Sequence, residues 1–145
     1  MTPLESAARR ELAVRLLLQA GPNANAAALA AAARRAYDEL ARVVSPLIGQ
    51  GGVDALARRA LHLAQREYPW LIRAPEPQQT DDPFAQVILC LERQEPAVAA
   101  EAAGAVFATF TGLLVTFIGE PLTARLLRQA WPDAFDEART EETQA

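Results

Sequence analysis

Apolar residues recur every three to four positions along most of the chain, which is the period of an amphipathic α-helix. A first run opens with a capping box at 2–5 and stops at Gly21-Pro22. A second run begins at Asn23 or Asn25 and continues to 47, and a third covers 53–68. The glycine-rich turn at 49–52 separates the second run from the third. The pattern therefore predicts three helices in the first half of the chain.

Proline and glycine divide the second half in the same way. Four prolines between 69 and 83 indicate a connection without regular structure. Asp82-Pro83 is a helix start and predicts a short fourth helix through Leu91, although a strand is the alternative because 87–91 is apolar on all sides. A long fifth helix begins at Pro96 and ends at Gly119, and a sixth covers 121–131.

The chain contains a weak internal repeat, in which 43–61 aligns with 113–131 without a gap at an offset of 70. In both segments the sequence predicts an apolar helix that ends at an Ile-Gly pair, followed by an amphipathic helix with an Arg in its second turn. Two related helix-turn-helix hairpins would explain this agreement, and chance similarity between two capped helix pairs is the alternative. The identical pairs are Ile48/Ile118, Gly49/Gly119, Leu56/Leu126, Arg58/Arg128 and Ala60/Ala130.

The composition agrees with a helical fold. The 145 residues are 51% hydrophobic and 22% charged, enough to bury a single core. Ala and Leu dominate, and both favour helix. We expect an all-α, single-domain bundle of five or six helices over 1–131, with a proline-rich connection at 69–83 and a frayed, acidic, polar tail at 132–145.

The net charge and its distribution along the chain indicate which classes of partner the protein could bind. The formal net charge is −4, which argues against general affinity for nucleic acid. Residues 1–73 contain ten Arg and six acidic residues, whereas 74–145 contain four Arg and twelve acidic residues. These unlike halves would attract each other within one chain or between two copies. The absence of Lys is typical of GC-rich bacterial coding.

Few residues suited to catalysis are present. The chain has one His and one Cys, and it lacks the ligand spacings that metal sites require. No hydrolytic triad, P-loop or dinucleotide-binding motif is found in the sequence. Cys90 lies in an apolar stretch, where a thiol usually packs as a small hydrophobic side chain. We therefore expect a protein that is not an enzyme and that has no metal and no cofactor.

The densest group of basic residues lies on the predicted third helix. Arg58, Arg59, His62 and Arg66 are spaced to share one face. Such a face suits an acidic partner, a nucleotide or the acidic half of a second copy, because guanidinium groups bind carboxylates and phosphates in pairs of hydrogen bonds. An ordinary solvated helix face is the alternative.

The predicted fifth helix carries small residues at every fourth position: Gly104, Ala108, Gly112 and Thr116. A stripe of this kind lets a second helix approach closely, either inside the bundle or across an interface between copies. The same region, 102–119, is uncharged and long enough to span a membrane. Its Ala, Gly and Thr content and the absence of flanking Lys or Arg favour a buried central helix.

These features favour a cytoplasmic regulatory or adaptor module that binds another protein or a second copy of itself. The alternative is a sensor for a small apolar molecule, with a pocket beside the helix at 96–118. The aromatic residues that would line such a pocket are Tyr37, Phe107, Phe110 and Trp131.

Overall fold

The computed structural model describes residues 25–71 and 83–131, which are 86% helical and contain no strand. The helices are α1 (Ala26–Ala64), α2 (Pro83–Glu92), α3 (Pro96–Ile118) and α4 (Glu120–Ala130). The all-α class is confirmed, and residues 84–91 are helix and not strand. The predicted helix in the first run, most of the connection at 69–83 and the tail at 132–145 lie outside the described residues.

The predicted count of five or six helices is not confirmed, because the described residues form four. The second and third predicted helices join as α1, which is kinked at Gly49. The start of α1 follows the usual capping rule, since the Asn25 side chain accepts a hydrogen bond from the Ala28 N–H at 2.8 Å. Pro46 lies inside α1 and lacks the N–H that the helix would use.

The kink depends on one residue, whereas the sequence suggests a four-residue turn. Gly49 has φ 81° and ψ 159°, a backbone conformation that only glycine adopts readily. Gly51 and Gly52 lie within the helix that continues after it. α1 therefore consists of two segments, 26–48 and 50–64, joined by a single non-helical residue.

Gly119 repeats this geometry between α3 and α4, with φ 92° and ψ 158°. Its N–H donates to the Val115 carbonyl at 2.9 Å and closes α3. Its carbonyl accepts from the Thr123 N–H at 3.2 Å and starts α4. One glycine thus ends one helix and begins the next.

The two regions that align in the sequence also share a burial pattern. Of the nineteen pairs between 43–61 and 113–131, all but three have the same degree of burial. The exceptions are 49/119, 50/120 and 54/124. The two helix–glycine–helix units therefore present their buried and exposed faces in the same order.

α4 folds back along α3. The rings of Phe107 and Trp131, each twelve residues from Gly119, lie 5.6 Å apart and meet edge to face. The Trp131 indole N–H donates to the Ala36 carbonyl of α1 at 3.0 Å, inside the core. This bond ties the end of the α3–α4 unit to the first segment of α1.

An aromatic cluster joins three of the helices at the centre. Tyr37 of α1 stacks on Phe84 of α2 with ring centroids 4.3 Å apart. Phe84 in turn lies 5.5 Å from Phe107 of α3, and Phe110 meets the edge of Tyr37 at 6.1 Å. All four rings are buried, so that α1, α2 and α3 share one core.

α3 is the most buried helix and also the most apolar. Among the described residues, Pro96–Ile118 is the one helix long and apolar enough to cross a membrane by length and composition. In its most apolar window 61% of the residues are buried inside the protein. A central helix of a folded bundle has these same properties.

Replacing either turn glycine by Ala should destabilise the protein. Cβ has free space at Gly49, and its nearest neighbour at Gly119 is the Pro121 ring at 3.9 Å, so the cost arises from the positive φ. Backbone strain of this kind costs about 1–3 kcal/mol. Gly51→Ala is the matched control, because it adds a Cβ in open space within a helix and should raise stability by up to about 1 kcal/mol. Urea unfolding of the three variants measures both effects, and equal stability of Gly49→Ala and Gly51→Ala would contradict this account.

Candidate interaction surface

The four basic residues singled out in the sequence lie together on the second segment of α1 and the turn that follows it. Arg58, Arg59, His62 and Arg66 are all exposed, and we call this surface the basic face. Arg58 and His62 are one helical turn apart, and Arg66 continues the row just beyond the end of α1. The opposite side of the segment is buried and holds Val53, Leu56, Ala57, Ala60, Leu61 and Ala64.

The arginines of the basic face have no ion-pair partner within the described residues. The ion pairs found there are Arg34–Asp38 and Arg42–Glu39, each at 2.8 Å, on the other segment of α1. Asp54 lies four residues before Arg58, but it accepts a hydrogen bond from the Gln50 side chain at 2.9 Å. Within 25–71 and 83–131, therefore, no carboxylate forms an ion pair with these arginines.

Helix geometry supplies part of the reason for basic residues at this place. The carbonyl groups at a helix C-terminus carry partial negative charge. A nearby cation therefore stabilises the helix by about 0.3–1 kcal/mol. His62 lies in the last turn of α1, and Arg66 follows it. Arg58 and Arg59 lie further from the helix end, so the helix dipole does not account for them.

Two observations on the described residues concern metal binding and thiol reactivity. No group of three or more His, Cys, Asp or Glu side chains among them is placed to hold a metal ion. Cys90 is half-buried in α2. Burial raises the pKa of its thiol, and the nearby Arg93 guanidinium opposes this shift in part. The thiol form is therefore favoured over the reactive thiolate at neutral pH.

A polar groove of about 560 Å³ runs beside the kink of α1, and no pattern in the sequence predicts it. The first segment of α1 forms one wall, and Gln50 and Asp54 of the second segment form the other. Arg34 binds Asp38 through two hydrogen bonds at 2.8 and 3.3 Å and lies 5.7 Å from the Tyr37 ring centroid. The charges that line this groove are thus already engaged. Helical spacing alone cannot reveal the groove, because its second wall depends on the fold at Gly49.

The small-residue stripe of α3 is buried at one end and exposed at the other. Gly104 and Ala108 are buried, Gly112 is half-buried, and Thr116 is exposed. The Thr116 hydroxyl donates to the Gly112 carbonyl at 3.2 Å, within its own helix. Close helix packing along the stripe is therefore expected only at its buried end, at Gly104 and Ala108.

The aromatic residues considered for a small-molecule pocket pack against one another. Tyr37, Phe107, Phe110 and Trp131 are each 4% exposed or less. Their rings meet one another or Phe84 at centroid distances of 4.3–6.1 Å. These side chains form the centre of the core in the part of the chain that the structure describes.

Comparison of the chain with protein-family models, curated proteins and solved structures finds no match. A functional proposal therefore rests on the surfaces described above. In the part of the chain that the structure describes, the basic face is where arginines without an ion pair are concentrated on one side of a helix.

Enlarging the buried end of the small-residue stripe should destabilise the fold. Ala108→Leu adds three carbon atoms at a buried position, and overpacking of this kind costs about 1–3 kcal/mol. Thr116→Leu is the control at the exposed end and should leave stability unchanged or slightly raised. Thermal unfolding followed by circular dichroism compares the two. A stable Ala108→Leu variant would show that no close packing occurs along the stripe.

Proposed function

We propose that this protein is a non-catalytic regulatory or adaptor module that docks an acidic segment of a partner protein on the basic face. The observation that carries the proposal is the exposure of Arg58, Arg59 and Arg66 together, without a carboxylate partner among the described residues. A solvated helix usually alternates its charges, as the first segment of α1 does.

An acidic protein segment fits this surface better than nucleic acid does. Guanidinium groups bind carboxylates through paired, charge-assisted hydrogen bonds. One exposed ion pair contributes only about 0.2–1 kcal/mol, so the partner must engage several of the arginines at once. Nucleic-acid binding depends on many cations against an extended run of phosphates, and the chain as a whole has a net charge of −4.

The proposal also covers the internal repeat, the number of helices and the cellular location. We propose that the two helix–glycine–helix units are a repeat, supported by their equal glycine conformations and burial patterns. A further helix in the first run of the sequence would bring the bundle to five. Function as an adaptor in a bacterial cytoplasm is consistent with the Arg-only basic composition and the single Cys.

Charge reversal tests the proposal. A pull-down from the native host identifies the stoichiometric partner, and calorimetry with the purified partner then measures affinity. Arg58→Glu/Arg59→Glu should weaken binding by tenfold or more, equivalent to about 1.4 kcal/mol, and raised salt should weaken the wild-type complex. The melting temperature should stay nearly constant, because both side chains are exposed.

Arg35→Glu/Arg125→Glu is the matched control. Both residues are exposed arginines on helices outside the basic face, and the net charge changes by the same amount. This variant should retain nearly full affinity. Equal weakening by the two double variants would show that net charge alone matters, and unfolding of Arg58→Glu/Arg59→Glu would make those residues structural.

A further inference from the structure

The last 14 residues of the sequence account for its whole net charge. Residues 132–145 contain five acidic residues and one Arg, whereas 1–131 contain 13 acidic residues and 13 Arg. We call 132–145 the acidic tail, and its acidic residues are Asp133, Asp136, Glu137, Glu141 and Glu142. The segment 72–82 is less acidic, with three acidic residues and one Arg. The charge of the acidic tail is therefore the better complement to the basic face.

The residue that precedes the acidic tail is fixed in the core, near the first turn of α2. The Trp131 indole N–H donates to the Ala36 carbonyl at 3.0 Å. The Phe107 ring lies 5.6 Å from the Trp131 ring and 5.5 Å from the ring of Phe84 on α2. The acidic tail therefore starts one aromatic ring away from α2.

The end of the basic face contacts the same turn of α2. The Leu71 carbonyl accepts hydrogen bonds from the side-chain amide of Gln65, at 2.6 Å, and from that of Gln86, at 3.5 Å. Gln65 directly precedes Arg66, and Gln86 is two residues after Phe84 on α2. A series of direct contacts thus connects the start of the acidic tail with the end of the basic face.

The acidic tail is long enough to reach the basic face. Glu141 and Glu142 follow Trp131 by ten and eleven residues, which span up to about 33–36 Å in an extended chain. A domain of 100 residues has a radius of gyration of about 13 Å and is therefore about 34 Å across. The reach of these two carboxylates thus equals the width of the bundle.

The spacing of the carboxylates suits the row of arginines. Arg59 and Arg66 are seven residues apart, about 10 Å along a helix axis. Glu137 and Glu141 are four residues apart, about 13 Å in an extended chain. Each exposed ion pair contributes little, but attachment through a short linker gives the tail an effective concentration of about a millimolar.

We infer that the acidic tail docks on the basic face of its own chain and must leave before an acidic segment of a partner can bind there. The tail then excludes partners that engage only one of the arginines. The contact between tail and face does not require a partner, whereas the competition rests on the proposed function.

Nuclear magnetic resonance of the full chain tests the contact. A spin label is attached at Gln144→Cys in a Cys90→Ala background, so that the label reacts with a single thiol. The label should broaden the backbone amide signals of 58–66. In 1 M salt, where charges are screened beyond about 3 Å, the broadening should be lost.

Variants of the acidic tail show whether its carboxylates make the contact. Glu141→Gln/Glu142→Gln should reduce the broadening at 58–66 at least twofold. Glu92→Gln/Glu95→Gln is the matched control, because it removes two exposed carboxylates outside the acidic tail and changes the net charge equally. Equal broadening in these two variants would contradict the inference.

Variants of the basic face show where the tail docks. Arg58→Glu/Arg59→Glu should abolish the broadening, whereas Arg35→Glu/Arg125→Glu should retain it. A mixture of isotope-labelled chains with spin-labelled chains should show no broadening. Broadening in this mixture as strong as within one chain would assign the tail to the face of a second copy and overturn the inference.

A free peptide that copies residues 133–145 tests the competition, with fluorescence anisotropy as the measure of its binding. Glu141→Gln/Glu142→Gln should bind this peptide about threefold more tightly than the wild type, because its own tail competes less. Adding Arg58→Glu/Arg59→Glu should abolish the gain. Equal affinity of the wild type and Glu141→Gln/Glu142→Gln would exclude the competition.

Two results separate the inference from the proposed function. Absence of broadening at 58–66 in the wild type overturns the inference, and peptide binding that Arg58→Glu/Arg59→Glu weakens would still support the proposed function. Broadening at 58–66 with no partner recovered from the native host supports the contact and counts against the proposed function.

Discussion

The architecture depends on two points at which the chain changes direction within a single residue. A single non-helical residue can redirect the chain between two helices when it takes a positive-φ conformation, in which a side chain with a Cβ is strained. Gly49 and Gly119 both take it, with φ 81° and 92°. Beyond Gly119, α4 lies back along α3, where Trp131 meets Phe107, and beyond Gly49 the second segment of α1 buries the face from Val53 to Ala64.

The contact between the units is then made by large aromatic side chains. Tyr37, Phe84 and Phe107 stack or tilt against one another, and Trp131 closes the cluster with a hydrogen bond to the Ala36 carbonyl. A carbonyl at this point of α1 is normally occupied within the helix, and it accepts the indole N–H through its second lone pair. The bond therefore satisfies a buried indole without costing the helix a bond of its own, and it fixes how far along α1 the other unit sits.

Local rules made much of this fold predictable. The Pro96 start and the buried stripe from Val53 to Ala64 follow from capping and spacing, and both are observed. Capping rules left Asn23 and Asn25 as alternative starts of the preceding helix, and the structure shows Asn25. The extent of the turn at 49–52 was not predictable, because three glycines look alike in sequence and only one takes a positive φ. Exposure of the basic face also followed from helical spacing, whereas the polar groove beside the kink is built by parts of α1 that only the fold brings together.

The position of the basic face constrains how a partner would bind it. Arg58 is nine residues beyond Gly49 and Arg66 is seventeen, so the face begins about 13 Å from that glycine and extends away from it along the second segment of α1. An acidic segment would therefore have to lie along this segment of α1 to reach Arg58, Arg59 and Arg66 together. Since each exposed ion pair contributes only about 0.2–1 kcal/mol, a partner that reached one arginine alone would gain too little to bind selectively.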